Sequence, residues 1–338
     1  MSDSQHTLLD NKSSSLHFDL KPSYRDTLLA KATHDILASE YIYSFLDDKN
    51  NTQKLTRFRE CRTGAYFYRN RETGKIRVGA QSCHLRFCPI CQDFKTSVIK
   101  TNTENWLKSA NFPKLLTFTL KHTDSPLPEQ INKLYESFQK IRRATFFSDK
   151  CSGGVWFFEI KKSNTDSLWH PHIHCLIAGG YISQTQLKKR WFKITGDSNI
   201  VDIRLVKDKE KAARHVSRYA AKPASLKQLS LDDCIELAEA LENRRICGTW
   251  GSCRKVKLTS LPNVDSSKWY RLAPWGTVIH ASEFDDSAKE IIRAWRKGES
   301  LEAGINIDHL FKSEYESFVE RERGSPGIDS QSYFTWSV

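Results

Sequence analysis

Several things are scarce in this sequence of 338 residues, and each scarcity narrows what the protein is. No apolar run approaches the roughly 20 residues a helix needs to cross a bilayer. A charged-then-apolar leader is also missing, and residues 1–22 are polar enough to read as a loose tail. Acidic residues are outnumbered: 40 Asp and Glu face 52 Lys and Arg, a net charge of +12 and a pI near 9.2. That excess favours a polyanionic partner, although charge alone does not separate nucleic acid from an acidic membrane surface. The nine cysteines are an odd number, and four of them cluster in the first third. Metal binding in a reducing compartment explains that better than a disulfide scaffold, so a cytoplasmic protein is expected. The length suffices for one large domain with additions, or for two, with a real core.

What is abundant is histidine in one place. Trp169 to Ile177 contains His170, His172 and His174, three of the eleven histidines in five residues. Apolar Ile173, Cys175 and Ile177 alternate with them, which is the pattern of a strand. Successive strand side chains point to opposite faces, so the imidazoles emerge together on the face away from the apolar set. Two imidazoles so placed can bind one divalent cation. Glu159 lies in the preceding strand pattern, between Phe158 and Ile160. On an antiparallel neighbour it reaches the face of His172 and His174, giving two imidazoles and a carboxylate with open positions. The alternative is a carboxylate turned to solvent.

The remaining pattern reads in chain order. Apolar positions from Ser23 to Leu46 recur at three to four, as in an amphipathic helix. A hairpin pattern follows, from Cys61 through Tyr66-Phe67-Tyr68 and a turn at Asn70 to Gly74 into Lys75-Ile76-Arg77-Val78. It leads to Cys83, and then to Cys88 and Cys91 in the C-x2-C spacing of a metal knuckle. Four thiolates from Cys61, Cys83, Cys88 and Cys91 suit a closed, structural Zn2+ site, with His84 as an alternative ligand and four buried free thiols as the metal-free alternative. Next come a helix from Phe94 to Ala110, a strand from Lys114 to Leu120, a helix from Glu129 to Phe147 and a strand from Val155 to Lys161. After the histidine strand, Ser183 caps a helix reaching Phe192, Ile200 to Val206 forms a strand, and Glu210 to Lys222 is a helix stopped by Pro223. The order β-α-β-β-α-β is that of a split βαβ, ferredoxin-like antiparallel sheet, so the expected class is α+β. Ser230 to Arg245 is a further helix, with Asp232 and Asp233 in its first turn. Strands and turns rich in Trp follow up to His280, then charged helices at 288–297 and 309–323. The Trp residues here suit a small core better than a base-stacking surface, since aromatics are usually buried. The expected division is a tail at 1–22, a helix and cysteine module at 23–110, a ferredoxin-like or RRM-like domain at 111–228, and a mixed region of unassigned role at 229–338.

His172-Ile173-His174 resembles the His-hydrophobe-His motif of the HUH endonucleases, and the wider His170-Pro171-His172-Ile173-His174 resembles their rolling-circle plasmid replication initiators. Leu-Leu-Thr-Phe-Thr-Leu at 115–120 is similar to the family's first nuclease motif, and the run from Cys83 to Cys91 to its cysteine-rich segment. Arg214-His215-Val216-Ser217-Arg218-Tyr219-Ala220-Ala221-Lys222 resembles its tyrosine motif, a Tyr followed three residues later by Lys. Together these cover about Cys61 to Ser225. The resemblance implies that His172, His174 and Glu159, with His170 in support, hold Mg2+ or Mn2+, and that Tyr219 attacks a scissile phosphate. Lys222 would share a helix face with Tyr219 and favour the phenolate, with Arg214 and Arg218 contacting DNA. The implied activity nicks and rejoins single-stranded origin DNA through a 5′-phosphotyrosine, leaving a 3′-OH for a polymerase, with host helicase and polymerase as partners and no membrane. One residue departs from the pattern. Where many initiators carry Glu four residues before the Tyr, this sequence has His215, and Glu210 is half a helical turn out of phase. The competing readings are a single-strand transposase or relaxase with the same site, and a zinc-ribbon DNA-binding regulator whose histidines are structural. A single Tyr placed after the histidine strand favours the initiator.

Overall fold

The computed structural model describes residues 23–30, 36–163, 165–260, 265–301, 305 and 334–336. The chain opens with three helices, α1 (Tyr24–Leu29), α2 (Ile36–Asn50) and α3 (Lys54–Arg59). The expected single helix from Ser23 to Leu46 is thus seen as α1 and most of α2, with residues 31–35 between them outside the description. A hairpin follows, β1 (Ala65–Asn70) and β2 (Ile76–Gln81). Its turn is closed by Asn70 Oδ1, which accepts from the amides of Glu72 (3.0 Å) and Thr73 (2.8 Å). Gly74 has φ +67, and a Cβ there would stand 2.9 Å from the Leu301 carbonyl oxygen, so glycine suits the position twice over.

The central part runs α4 (Pro89–Ser109), β3 (Lys114–Thr119), α5 (Leu127–Arg143), α6 (Thr145–Ser148), β4 (Cys151–Lys162), β5 (Trp169–Gly179), α7 (Gln184–Thr195), β6 (Val201–Leu205) and α8 (Lys209–Ala221). Ser183 caps α7 by accepting from the Gln186 amide, and Asp208 caps α8 by accepting from the Lys211 amide. These strands lie in an antiparallel five-stranded sheet of order β6-β3-β5-β4-β7, where β7 is Cys247–Gly251. Since β3 and β4 both run antiparallel to β5, they are parallel to each other and are joined by a crossover through α5. The expected α+β class with antiparallel sheets is what the chain adopts.

The alternation read along β5 has a structural counterpart. Ile173, Cys175 and Ile177 are fully buried on one face with Phe118 and Phe158, under Leu134, Phe138 and Ile141 of α5 and Trp191 of α7. The other face is half covered. Leu176 and Ala178 pack with Val155 and Phe157 beneath Ala213 and Val216 of α8 and Ile99 and Leu107 of α4. Full burial of such a side chain contributes about 1.5–3 kcal/mol, so α8 is held firmly over this half. The histidines occupy the same face two to six residues before Leu176, nearer the start of β5, where the cover ends.

The chain then forms α9 (Leu231–Ala240), β7, β8 (Trp269–Pro274), α10 (Trp275–Ala281), α11 (Asp286–Lys297) and β9 (Phe334–Trp336). Ser230 and Asp233 make a reciprocal capping box at the start of α9. The stretch expected as strands and turns up to His280 becomes helical from Trp275 onward. Trp275 is buried, stacked on Phe67 with ring centroids 5.3 Å apart, so it belongs to a second core between the hairpin and the C-terminal helices. The strands after residue 229 are shared out: β7 extends the five-stranded sheet, while β8 and β9 flank the hairpin in the order β8-β1-β2-β9. The expected tail at 1–22 and helix at 309–323 lie outside the described residues. Among the described residues, no helix is long and apolar enough to cross a membrane.

Candidate active site

Strand pairing brings three elements to one face. His172 of β5 pairs with Glu159 of β4 and with Thr119 of β3, and His174 pairs with Thr117. Both threonine hydroxyls meet the histidine Nδ1 atoms, at 2.9 Å for Thr119 and His172 and 3.0 Å for Thr117 and His174. These contacts orient the two rings and make Nε2 the outer nitrogen of each. His174 Nε2 lies 2.6 Å from Glu159 Oε2, and the other carboxylate oxygen is 3.1 Å from Lys161 Nζ. Burial works to raise the Glu159 pKa, but the His174 hydrogen bond and the Lys161 charge hold it below the ordinary value. Burial lowers the His172 pKa to about 4, so this ring is neutral and able to bind a cation at pH 7.

Helix α8 supplies the fourth side of the site. Tyr219 lies on His174, ring centroids 4.5 Å apart and planes 15° from parallel. His215, one turn earlier, stands nearly perpendicular to Tyr219 at 5.4 Å and to His174 at 5.9 Å. Pro223 fixes where the helix ends. It biases the residue before it away from α geometry, and Lys222 adopts φ −122 and ψ 86. The Pro223 carbonyl accepts from the Ile160 amide of β4 at 2.8 Å, which ties this end of α8 to the strand that carries Glu159. Lys222 is therefore the residue that ends the helix, its amide still bonded to the Arg218 carbonyl at 3.2 Å. It still lines the same cavity of about 220 Å³ as Glu159, Lys161, Arg218 and Tyr219.

The charges that act on the phenol come from β4 and α8. Burial and the Glu159 charge raise the Tyr219 pKa, and the cations opposing this are Lys161 and Arg218. Burial lowers the Lys222 pKa below its ordinary value, with Lys227 adding to this and Asp93, in an early turn of α4, opposing it. His215 is held below its ordinary pKa by burial and by His174 and Arg218, whose Nη2 lies 3.4 Å from His215 Nδ1. Arg214 is exposed and paired with Glu210, which takes Glu210 away from the site.

The donor set of His172, His174 and Glu159 suits a divalent ion. The three are not drawn into one sphere, because Glu159 is spent on His174 and Lys161. Among the described residues, two groups do have all their ligand atoms within 4.8 Å of one another: Cys61, Cys83, Cys88 and Cys91, and His122, Asp166 and His170. His170 therefore keeps different company from His172 and His174.

All four cysteines are buried and free of disulfides. Their sulfurs are 3.5 Å (Cys83–Cys91), 3.6 Å (Cys61–Cys91) and 3.8 Å (Cys88–Cys61) apart. A tetrahedron with metal–sulfur bonds of about 2.3 Å has edges of about 3.8 Å, so the cluster could hold a metal ion. His84 is exposed with φ +55 and lies outside it. Cys88 and Cys91 sit at the start of α4, which runs antiparallel along α8. Lys209, at the first turn of α8, reaches the carbonyls of Lys108 and Ala110 at the far end of α4. The cysteine cluster and Tyr219 are thus at the same end of this helix pair.

A family model described as "Replication protein" matches residues 75–300, more than half of the chain. The chain belongs to this replication protein family. A protein named "Protein rep" from Bacillus amyloliquefaciens is 26% identical over 292 residues, covering 73% of this chain and 83% of its own. "Protein rep" from Streptococcus pneumoniae serotype 2 is 24% identical over 269 residues (71% and 81%), and one from Staphylococcus aureus is 22% identical over 213 residues (57% and 93%). No solved structure matches the chain. Within this replication protein, sequence reasoning missed Lys161, His122 and Asp166. Lys161 was legible in principle, two residues from Glu159 on the same strand face. His122 and Asp166 come from separate loops and carry no local pattern.

Proposed function

We propose that this protein initiates rolling-circle replication of a plasmid, as an HUH endonuclease that nicks and rejoins single-stranded origin DNA with Tyr219 as nucleophile. The observation that carries the reading is the contact chain Tyr219–His174–Glu159, in which a phenol, an imidazole and a carboxylate from three separated elements meet in one cleft. The strand order β6-β3-β5-β4 supports it, being that of a ferredoxin-like split βαβ once β7 is set aside as an added edge. The net charge of +12 suits a DNA partner.

In this reading His172 and His174 would hold Mg2+ or Mn2+, with Glu159 joining them once freed from its bond to His174, and the ion would supply charge to polarise the scissile phosphate and offset the carboxylate that raises the Tyr219 pKa. The Tyr219 Oη attacks phosphorus, and the bond to the 3′-oxygen breaks. The phenolic proton passes to His215 or solvent, and the departing oxygen takes a proton to become a 3′-OH. The DNA 5′ end remains esterified to Tyr219. Thr117 and Thr119 hold the imidazoles in the tautomer that presents Nε2 to the cleft. Lys161, Arg218 and Lys222 place positive charge around the cavity, where phosphate oxygens sit. Cys61, Cys83, Cys88 and Cys91 would hold Zn2+, which would fix the start of α4 and through it the tyrosine end of α8.

The test is incubation with a single-stranded oligonucleotide carrying the origin of the parent replicon, with and without Mn2+. A metal-dependent protein–DNA adduct that survives denaturation supports the nuclease. Retention of the oligonucleotide without cleavage at any metal concentration refutes it, leaving a DNA-binding regulator.

A further inference from the structure

Of the three histidines on β5, His170 alone is grouped with residues from outside the active-site cleft. Its ring lies against that of His122, with centroids 3.5 Å apart and planes at 49°, while His172 is 6.5 Å away. His122 follows the end of β3, and its Nδ1 is 3.2 Å from Asp166 Oδ2 in the β4–β5 connection. That loop is organised to present the carboxylate: Ser163 Oγ accepts from the Thr165 amide at 3.2 Å, and Asp166 Oδ1 accepts from the Leu168 amide at 3.1 Å. The ligand atoms of the three residues lie within 4.8 Å of one another. His170 Nε2 is buried and has no hydrogen-bond partner among the described residues, a costly condition for a ring nitrogen unless something occupies the position.

We infer that His122, Asp166 and His170 form a second metal site, separate from the one proposed at His172, His174 and Glu159. Two imidazoles and a carboxylate are donors of borderline softness, suited to Zn2+, Co2+ or Mn2+. Three protein ligands on a partly exposed rim leave a coordination position open to water or an external oxygen ligand. The ion ties together the chain after β3, the β4–β5 loop and the first residues of β5. It therefore sets the start of the strand whose next two histidines face the cleft. The inference stands on its own residues and does not depend on the nuclease reading.

Titration of the zinc-loaded full chain with Co2+, followed by visible absorption, tests it. The His172→Ala/His174→Ala double variant is expected to bind one Co2+ outside the cysteine cluster. Adding His122→Ala or Asp166→Asn to it should weaken that binding at least about tenfold. Asp166 lies on an exposed loop, so Asp166→Asn alone gives a readout without the double variant: one Co2+ per chain is lost from the wild-type stoichiometry. Failure of the double variant to bind Co2+, when folded, overturns the second site and returns His170 to the His172 and His174 centre. Unchanged stoichiometry and affinity in Asp166→Asn overturns it equally. If the nuclease reading alone is wrong, the wild type binds a single Co2+ that Asp166→Asn weakens.

Discussion

Tyr219 lies flat on the ring of His174, 4.5 Å between centroids and 15° from parallel, and that imidazole is itself bonded to Glu159 at 2.6 Å. An aromatic stack of this kind contributes about 0.5–1.5 kcal/mol beyond area burial. It does so here by fixing a phenol over a candidate metal ligand. The two residues are 45 positions apart and come from a strand and a helix that meet only through the fold.

Truncating the histidines separates the two sites. His172→Ala and His174→Ala are expected to abolish Mn2+-dependent nicking, with His172→Ala leaving the melting temperature within a few degrees and His174→Ala lowering it further, because buried Glu159 loses its partner. His170→Ala should reduce nicking less, because it acts through the position of β5. Nicking assays over a Mn2+ titration check this, and equal activity of all three variants at saturating metal would remove metal ligation from the account.

Cysteine loss should act at a distance. Cys88→Ser or Cys91→Ser is expected to release about one zinc per chain and to lower the melting temperature, because binding free energy at a structural site is folding free energy. Since α4 braces α8, nicking should fall as well, even where the variant remains soluble. Elemental analysis finding no zinc in the native protein would contradict this.

His215 gives a kinetic prediction with a pH sign. Burial, His174 and Arg218 hold its pKa below the ordinary value, so the neutral, proton-accepting form dominates at and above neutral pH. Decay of the Tyr219 adduct should be flat from pH 8 to about 6.5 and slow on further acidification. His215→Ala should nick normally and accumulate the adduct, and His215→Glu should recover part of the decay. Time courses on a labelled oligonucleotide decide, and unchanged decay in His215→Ala would make it a DNA contact.

Asp47 predicts a pH effect on stability. Its carboxylate accepts from the amides of Lys54 and Leu55, both at 2.7 Å, at the start of α3. Against a burial effect that raises it, these bonds, with Thr52 and Lys54, hold its pKa below the ordinary value. The stabilisation is therefore complete above the unfolded carboxylate pKa of about 4 and lost as pH falls through the lower folded value. Asp47→Ala should cost about 1 kcal/mol at pH 7 and less at pH 2, as measured by denaturant melts. An equal loss at both pH values would contradict the assignment.

The parts of this molecule legible in the sequence are those with a local period. The alternation around Ile173 and Cys175 located the histidine strand and its buried face, and the periodicity from Glu129 located α5. Glu159 was legible because a charge between Phe158 and Ile160 must take one face or the other. That Lys222 ends α8 with φ −122 was legible only through Pro223, which biases the residue before it away from α geometry. The pairing of β7 with β4, and of β8 with β1, left no trace, since long-range partners are chosen by the whole fold. The grouping of His122 with Asp166 and His170 is of the same kind.

The most direct test of the central claim is the identity of the residue joined to DNA. The Mn2+-dependent adduct would be digested with protease and nuclease, and the nucleotide-bearing peptide sequenced by mass spectrometry, for wild type and Tyr219→Phe. The account predicts a nucleotide phosphate on Tyr219 in the wild type, and no adduct in Tyr219→Phe, with DNA binding retained within a few fold because affinity comes mainly from Lys and Arg contacts to phosphates. A nucleotide on any other residue, or wild-type-like cleavage by Tyr219→Phe, would contradict it.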